Sequence, residues 1–173
     1  EQLDEAVPLL EMAIDRDPRF AEAYVRLSYA LFQLAHFYRG PTEVMPRAFE
    51  AAQRAVDLDD NLAGAHASLG SIKAFWQWDW AGAESELRRA LQLNPGHRRA
   101  SVNLANYLAA TGEPDEALAI VNTAVDLDPL NVRALSSLGW VFYLTRRYDE
   151  GIHHMVSTLG LHPDDAMSHY SLA

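Results

Sequence analysis

The chain has 173 residues, 49% of them apolar, enough for one ordinary domain with a continuous core. Its 14 basic residues against 24 acidic ones leave a formal net charge of −10, which argues against a general nucleic-acid surface and against binding to an anionic membrane. The absence of cysteine excludes disulfides, thiolate catalysis and Cys-ligated zinc, and no stretch of about 18 apolar residues is present to span a bilayer.

Apolar residues recur at helical spacing throughout, broken by turn residues, and no strand pattern appears. Residues 3–16 predict a helix with Pro8 in its opening turns, where proline is best tolerated. Residues 21–38 predict a longer helix, ended by Arg39-Gly40-Pro41-Thr42. Thr42 is placed to cap the next helix, which runs to about Asp57. Helix pairs follow at 63–76 and 80–93, at 98–110 and 114–127, and at 132–145 and 148–161. Residues 166–173 begin one more.

Pro95, Pro129 and Pro163 recur at an interval of 34 residues, closing the phrases Leu93-Asn94-Pro95, Leu127-Asp128-Pro129 and Leu161-His162-Pro163. A fixed period of about 20–50 residues signals a stacked repeat architecture. With Pro129 counted as repeat position 32, Leu104 and Ala105 stand at positions 7 and 8, Ala117 at 20 and Ala124 at 27. One period later the columns hold Leu138, Gly139, Gly151 and Thr158. One period earlier they hold Leu69, Gly70, Ala83 and Ala90, with one extra residue between the halves. The pattern reaches back through Ala48, Ala55 and Asp60, where Asp replaces Pro, to Ala6, Ala13 and Pro18. Small residues at positions 8 and 20 let two helices approach closely, while Leu at 7 and the residues at 24 (Leu10, Ala52, Leu87, Val121, Met155) fill the core between them. Proline at position 32 lacks an N–H and stops the second helix.

These columns resemble the tetratricopeptide repeat, a helix–turn–helix unit. Asp4-Glu5-Ala6, Asp115-Glu116-Ala117 and Asp149-Glu150-Gly151 look like the family's D-E-A opening of its second helix, and Ala-Val-Asp-Leu-Asp at 55–59 and 124–128 looks like its helix end. The resemblance implies an all-α, right-handed α-solenoid over 1–173. Its divisions are 1–20, the second helix of a partial repeat; 21–62, a repeat with eight extra residues; 63–97, 98–131 and 132–165, further repeats; and 166–173, the start of a truncated one. A pattern that starts and stops in mid-repeat is expected of a piece of a longer protein. The competing expectation is self-association through Leu3, Leu10 and Ile14 at one end and His169, Tyr170 and Leu172 at the other.

The segment Phe75-Trp76-Gln77-Trp78-Asp79-Trp80-Ala81-Gly82-Ala83-Glu84 resembles a phrase in the tetratricopeptide regions of bacterial multidomain signalling proteins. Those regions often follow a nucleotide-cyclase, kinase or winged-helix domain, so the resemblance implies a regulatory setting, while a cytoplasmic location is the default expectation for a chain without cysteine whose opening Glu1-Gln2-Leu3-Asp4 is acidic and not a secretory signal. Within this segment Trp80 is expected to pack between the helices and Trp78 to be exposed, in preference to a ligand cage.

No metal, cofactor or catalytic constellation is expected. His153 and His154 point about 100° apart on a helix and cannot readily share an ion. Arg88-Arg89 and Arg98-Arg99 bracket one turn, where helix-end placement is expected over a phosphate site. No nucleotide-binding, zinc-protease or nucleophile-elbow motif is present.

The family resemblance implies that first helices line a concave groove. Its expected lining includes Tyr29, Phe32, Phe75, Arg99, Asn106, Arg133, Trp140, Tyr143 and Tyr170, either as binding anchors or as packing against neighbouring helices. Some family members clamp a peptide's terminal carboxylate with a lysine and two asparagines. Here Val102 takes the lysine place, Asn106 fits, and Ser137 replaces the second asparagine, so that clamp is not expected. The expected function is non-catalytic binding of a protein or peptide, with no nucleic-acid or membrane partner. The alternative is a structural or oligomerisation segment that positions an attached output domain.

Overall fold

The computed structural model describes residues 2–37, 40–164 and 169, and among them every regular element is a helix. Contacts divide the chain into two compact units, Glu1–His97 and Arg98–Ala173.

In the first unit α1 (Gln2–Arg16) packs on α2 (Ala21–Phe37), α2 on α3 (Pro41–Leu58), α3 on α4 (Ala63–Ile72) and α4 on α5 (Trp80–Leu93). In addition α2 lies against α4, so first helices of successive repeats are neighbours. A single turn of π-helix, Lys73–Gln77, leads from α4 towards α5. The second unit repeats the scheme with α6 (Arg98–Thr111), α7 (Pro114–Leu127), α8 (Val132–Leu144) and α9 (Tyr148–Leu161), where α6 packs on both α7 and α8. None of the described helices is long and apolar enough to cross a membrane.

The repeat columns become contacts. Leu31, Leu34, Val44, Met45, Leu69 and Ile72 form the core of the first unit, closed at one side by Val7, Leu10 and Ile14 of α1. In the second unit Leu104, Val121, Leu138, Val141 and Met155 are buried. The small column at position 8 marks the tightest approach. A Cβ on Gly70 would stand 2.8 Å from Leu87 Cγ and 3.1 Å from the Ala83 carbonyl oxygen. Second helices end where the residue at position 31 donates its N–H back to position 27. Asp59 bonds Ala55 at 3.0 Å, Asn94 bonds Ala90 at 2.9 Å and His162 bonds Thr158 at 2.7 Å.

Four expectations need correction. Gly40, not Thr42, is the N-cap of α3, with Pro41 as the first helical residue, so Thr42 lies inside the helix. Leu10 and Ile14 face the first unit's core, which leaves Leu9 and Met12 on the exposed side of α1. Arg88 and Arg89 lie within α5, whose last turn holds no basic residue, and Arg98 and Arg99 open α6 instead of closing a helix.

The fourth concerns Trp80, which is 44% exposed. The extra residue in this repeat is absorbed by the π turn, which brings Trp76 against the core. Trp78 then reverses the chain in the left-handed region (φ 57°, ψ 23°), and Asp79 caps α5 by accepting from the Gly82 N–H at 3.0 Å. Trp80 therefore falls at the first position of α5, outside the helix interface.

The close approach at Gly70 leads to a paired expectation. Gly70→Ala forces Leu87 and the α5 backbone to shift and should cost about 1–3 kcal/mol. Gly160, also helical, has open space for 4 Å around the place a Cβ would take. Gly160→Ala should stabilise by about 0.5–1 kcal/mol through backbone entropy. Urea titration of both variants checks this. Equal effects would mean that the helix approach at Gly70 has slack.

Candidate functional site

On α6, Arg99 and Asn106 lie seven residues apart, and on α8 Arg133, Ser137 and Trp140 follow at spacings of four and three. Those intervals place each set on one side of its helix. The two helices are neighbours, and a hydrogen bond joins them: Ser137 Oγ donates to Asn106 Oδ1 at 2.9 Å. Trp140 is half-buried and stacks on Tyr143, with centroids 5.2 Å apart and planes 22° apart. Tyr143 is 51% exposed. Tyr148, at the start of α9, extends the cluster with its ring 6.0 Å from that of Tyr143. The outcome is a face with a fixed amide, an aromatic shelf and Arg133 exposed in the first turn of α8.

The remaining expected residues fall elsewhere. Tyr29, Phe32 and Phe75 belong to the first unit, where Phe32 meets Phe75 edge to face at 5.9 Å. Phe32 also packs on the core, so it serves structure as well as surface. Tyr170 lies outside the described residues. Val102 is buried and presents no charge where a carboxylate clamp holds a lysine.

Several basic residues have carboxylate partners. Arg88 Nε lies 2.8 Å from Glu84, Arg89 3.5 Å from Asp60 and Arg98 3.6 Å from Asp128. Arg147 lies over the Phe142 ring and donates from Nε to Glu150 at 2.6 Å. That hydrogen bond raises the Arg147 guanidinium above its ordinary value and lowers the Glu150 carboxyl.

The family model of the tetratricopeptide repeat (TPR) matches residues 77–141. TTC0263, a thermophilic TPR protein of Thermus thermophilus, has a structure similar to this one at a TM-score of 0.81, with 21% identity over 98% of this chain and 90% of its own. The fold is that of a TPR protein. YrrB, a TPR protein with an unusual peptide-binding site, is similar at a TM-score of 0.66, with 19% identity over 98% of this chain and 83% of its own. By sequence, BBSome complex member BBS4 of Bos taurus is 26% identical over 161 residues, which are 93% of this chain and 29% of BBS4. The chain thus spans less than a third of that relative.

One TPR column was missed as a polar site. Tyr24, His66 and His169 share repeat position 4, and each reaches a carbonyl six residues earlier. The Tyr24 hydroxyl bonds Pro18 at 3.5 Å, His66 Nε2 bonds Asp60 at 2.9 Å, and His169 Nε2 bonds Pro163 at 2.7 Å. A partial signal was present in the repeat columns: a ring with a polar edge after the same turn in three repeats, though Ser101 and Leu135 hold that position in the other two. His66 goes further. It is 4% exposed, and its Nδ1 lies 2.7 Å from Glu86 Oε2, while Lys73 Nζ donates to Glu86 Oε1 at 2.8 Å. Burial pushes the Glu86 carboxyl up, but hydrogen bonds and charge from Lys73 and His66 pull it down further, leaving it below the ordinary value.

A carboxyl lowered in the folded state contributes stability above its unfolded value, about pH 4.3, and loses it as pH falls through the folded value. Glu86→Gln should therefore cost about 1–2 kcal/mol at pH 7. The gap between parent and variant should be narrower at about pH 3, because the charge-dependent stabilisation is lost progressively as pH falls below the unfolded value. Urea titrations at the two pH values check this, and a gap independent of pH would locate the effect in packing instead of charge.

Proposed function

We propose that the chain is a non-catalytic scaffold that binds a peptide or a segment of a protein on its α6–α8 face. The observation that carries this reading is the Trp140–Tyr143 stack beside the Ser137–Asn106 pair. Stacked rings on a helix offer large apolar area at little cost in conformational entropy. Ser137 occupies the amide oxygen of Asn106 and so orients the amide nitrogen, whose two donors suit a peptide carbonyl. Arg133 adds positive charge at the start of α8, with Arg99 in the corresponding turn of α6. The occupant that fits is an extended or helical segment carrying an apolar side chain and an acidic group. The TPR fold supports the reading, because TPR proteins are typically non-catalytic scaffolds that bind protein or peptide partners.

The regulatory setting is a further part of the proposal. It rests on the resemblance of residues 75–84 to the phrase found in bacterial signalling proteins. Self-association has an observation of its own in Tyr148, Ile152 and Val156, an exposed apolar stripe at four-residue spacing on α9.

Peptides selected from a random display library against the chain supply the test. Truncation of a central aromatic anchor commonly costs about 2 kcal/mol or more, so Trp140→Ala should weaken a selected peptide about thirtyfold. Arg99→Ala/Arg133→Ala should flatten the salt dependence of binding. Isothermal titration reads both. Selected peptides that bind the variants as tightly as the parent would move the site off this face. An empty selection together with self-association in light scattering would favour the oligomerisation reading.

A further inference from the structure

We propose that the Trp78–Trp80 turn of the first unit is a second recognition site, which takes an arginine- or lysine-rich segment of a partner protein through cation–π contact. Trp78 stands in an unusual backbone conformation. Its backbone lies at φ 57° and ψ 23°, one of two non-glycine residues with positive φ among those described. That region is strained for an L-residue and free of strain for glycine. Its ring is 69% exposed, so it adds little to the core. Neither the turn nor the packing accounts for a tryptophan here, and unusual backbone at an exposed aromatic is where recognition sites collect.

What the turn does is hold two rings in a defined corner. Trp78 and Trp80 meet edge to face, with centroids 5.5 Å apart and planes 72° apart. The corner is fixed from below. The π turn ends with the Trp78 and Asp79 N–H groups both bonded to the Lys73 carbonyl, the latter at 3.1 Å, and Asp79 then caps α5 through Gly82. A single residue, Asp79, separates the two tryptophans in sequence, and its carboxylate is turned onto the Gly82 N–H. Two nearly perpendicular aromatic rings suit a cation, which is attracted to ring faces within about 6 Å of the centroid.

Charge selects the partner. The first unit carries 15 acidic residues against 9 basic ones. Such a surface draws in a basic segment and repels nucleic acid and anionic lipid. Arginine suits the corner better than lysine, since its planar guanidinium stacks on an aromatic face.

The probe is a fluorescein-labelled nine-residue peptide of alternating arginine and glycine, titrated with the full chain and read by anisotropy. Its counterpart carries citrulline in place of arginine, which keeps the shape and removes the charge. The arginine peptide should bind at least about tenfold more tightly than the citrulline peptide and weaken as salt rises. Trp78→Ala and Trp80→Ala should each weaken it about two- to fivefold. Trp78→Gly should lose the same binding while its Tm holds or rises, because glycine relieves the backbone. The proposal is overturned if Trp78→Gly lowers Tm by more than about 5 °C, since the ring then serves folding. Equal binding of the citrulline peptide, or binding of the arginine peptide that survives both tryptophan changes, also overturns it. So does tryptophan-dependent binding to phosphatidylcholine vesicles with no preference for the arginine peptide, which would make the corner a lipid anchor.

Discussion

Close contact between paired helices at the small-residue column is the constraint on which the rest of the structure depends. At Gly70 the two helices of a repeat come so near that a methyl group would meet both Leu87 and the Ala83 carbonyl oxygen. Gly139 plays the same part against Met155. Interiors pack at crystal-like density, so this spacing dictates which side chains fit at the neighbouring positions. Leu69 and Leu104 are buried because the small residue next to each lets the partner helix reach over it. A bulky residue in this column would push the helices apart and open every contact at positions 7 and 24 of the repeat.

The architecture was legible because that constraint leaves a periodic trace. Small residues, leucines and prolines recur 34 residues apart, and each recurrence has one physical cause. What escaped was local and aperiodic. Thr42 looked like a cap, but Gly40 and Pro41 ahead of it supplied an extended residue and a fixed φ, which start a helix without a side-chain cap. Trp80 sat on the aromatic column only if the extra residue lay in the turn. The chain absorbed that residue in the preceding helix as a π turn, which rotated Trp76 inward and left Trp80 out. A one-residue insertion can be accommodated in helix or turn at similar local cost, so counting positions cannot decide between them.

The candidate binding face shows the same division. Helical spacing alone put Trp140 and Tyr143 on one face, and their stack follows from it. The Ser137–Asn106 bond was not readable, although both residues stood in the comparison with the carboxylate clamp. It depends on the distance between two helices, which residue identities do not carry. The His66–Glu86–Lys73 cluster escaped for a related reason. Its members lie on two helices and the π turn, and only packing brings a carboxylate 20 residues away onto the imidazole.

The two polar arrangements have different physical logic, and the difference bears on where recognition sits. Glu86 is surrounded by groups that stabilise its charge and is 19% exposed, so the cluster is satisfied internally and has little to offer a ligand. Asn106 accepts one hydrogen bond from Ser137 and keeps donors beside an exposed aromatic shelf, so it is only partly satisfied. A satisfied buried network rigidifies a fold, whereas a part-satisfied amide at a surface stays hydrated until a carbonyl arrives. The exposed tryptophan corner extends this contrast from hydrogen bonding to backbone conformation. There a tryptophan stands in left-handed backbone and is 69% exposed, which is the ground for proposing it as a recognition site. On that proposal, stability and recognition draw on different residues within the same helix pair. The glycine column sets the helices, and the turn above it is free to carry side chains that the core never uses.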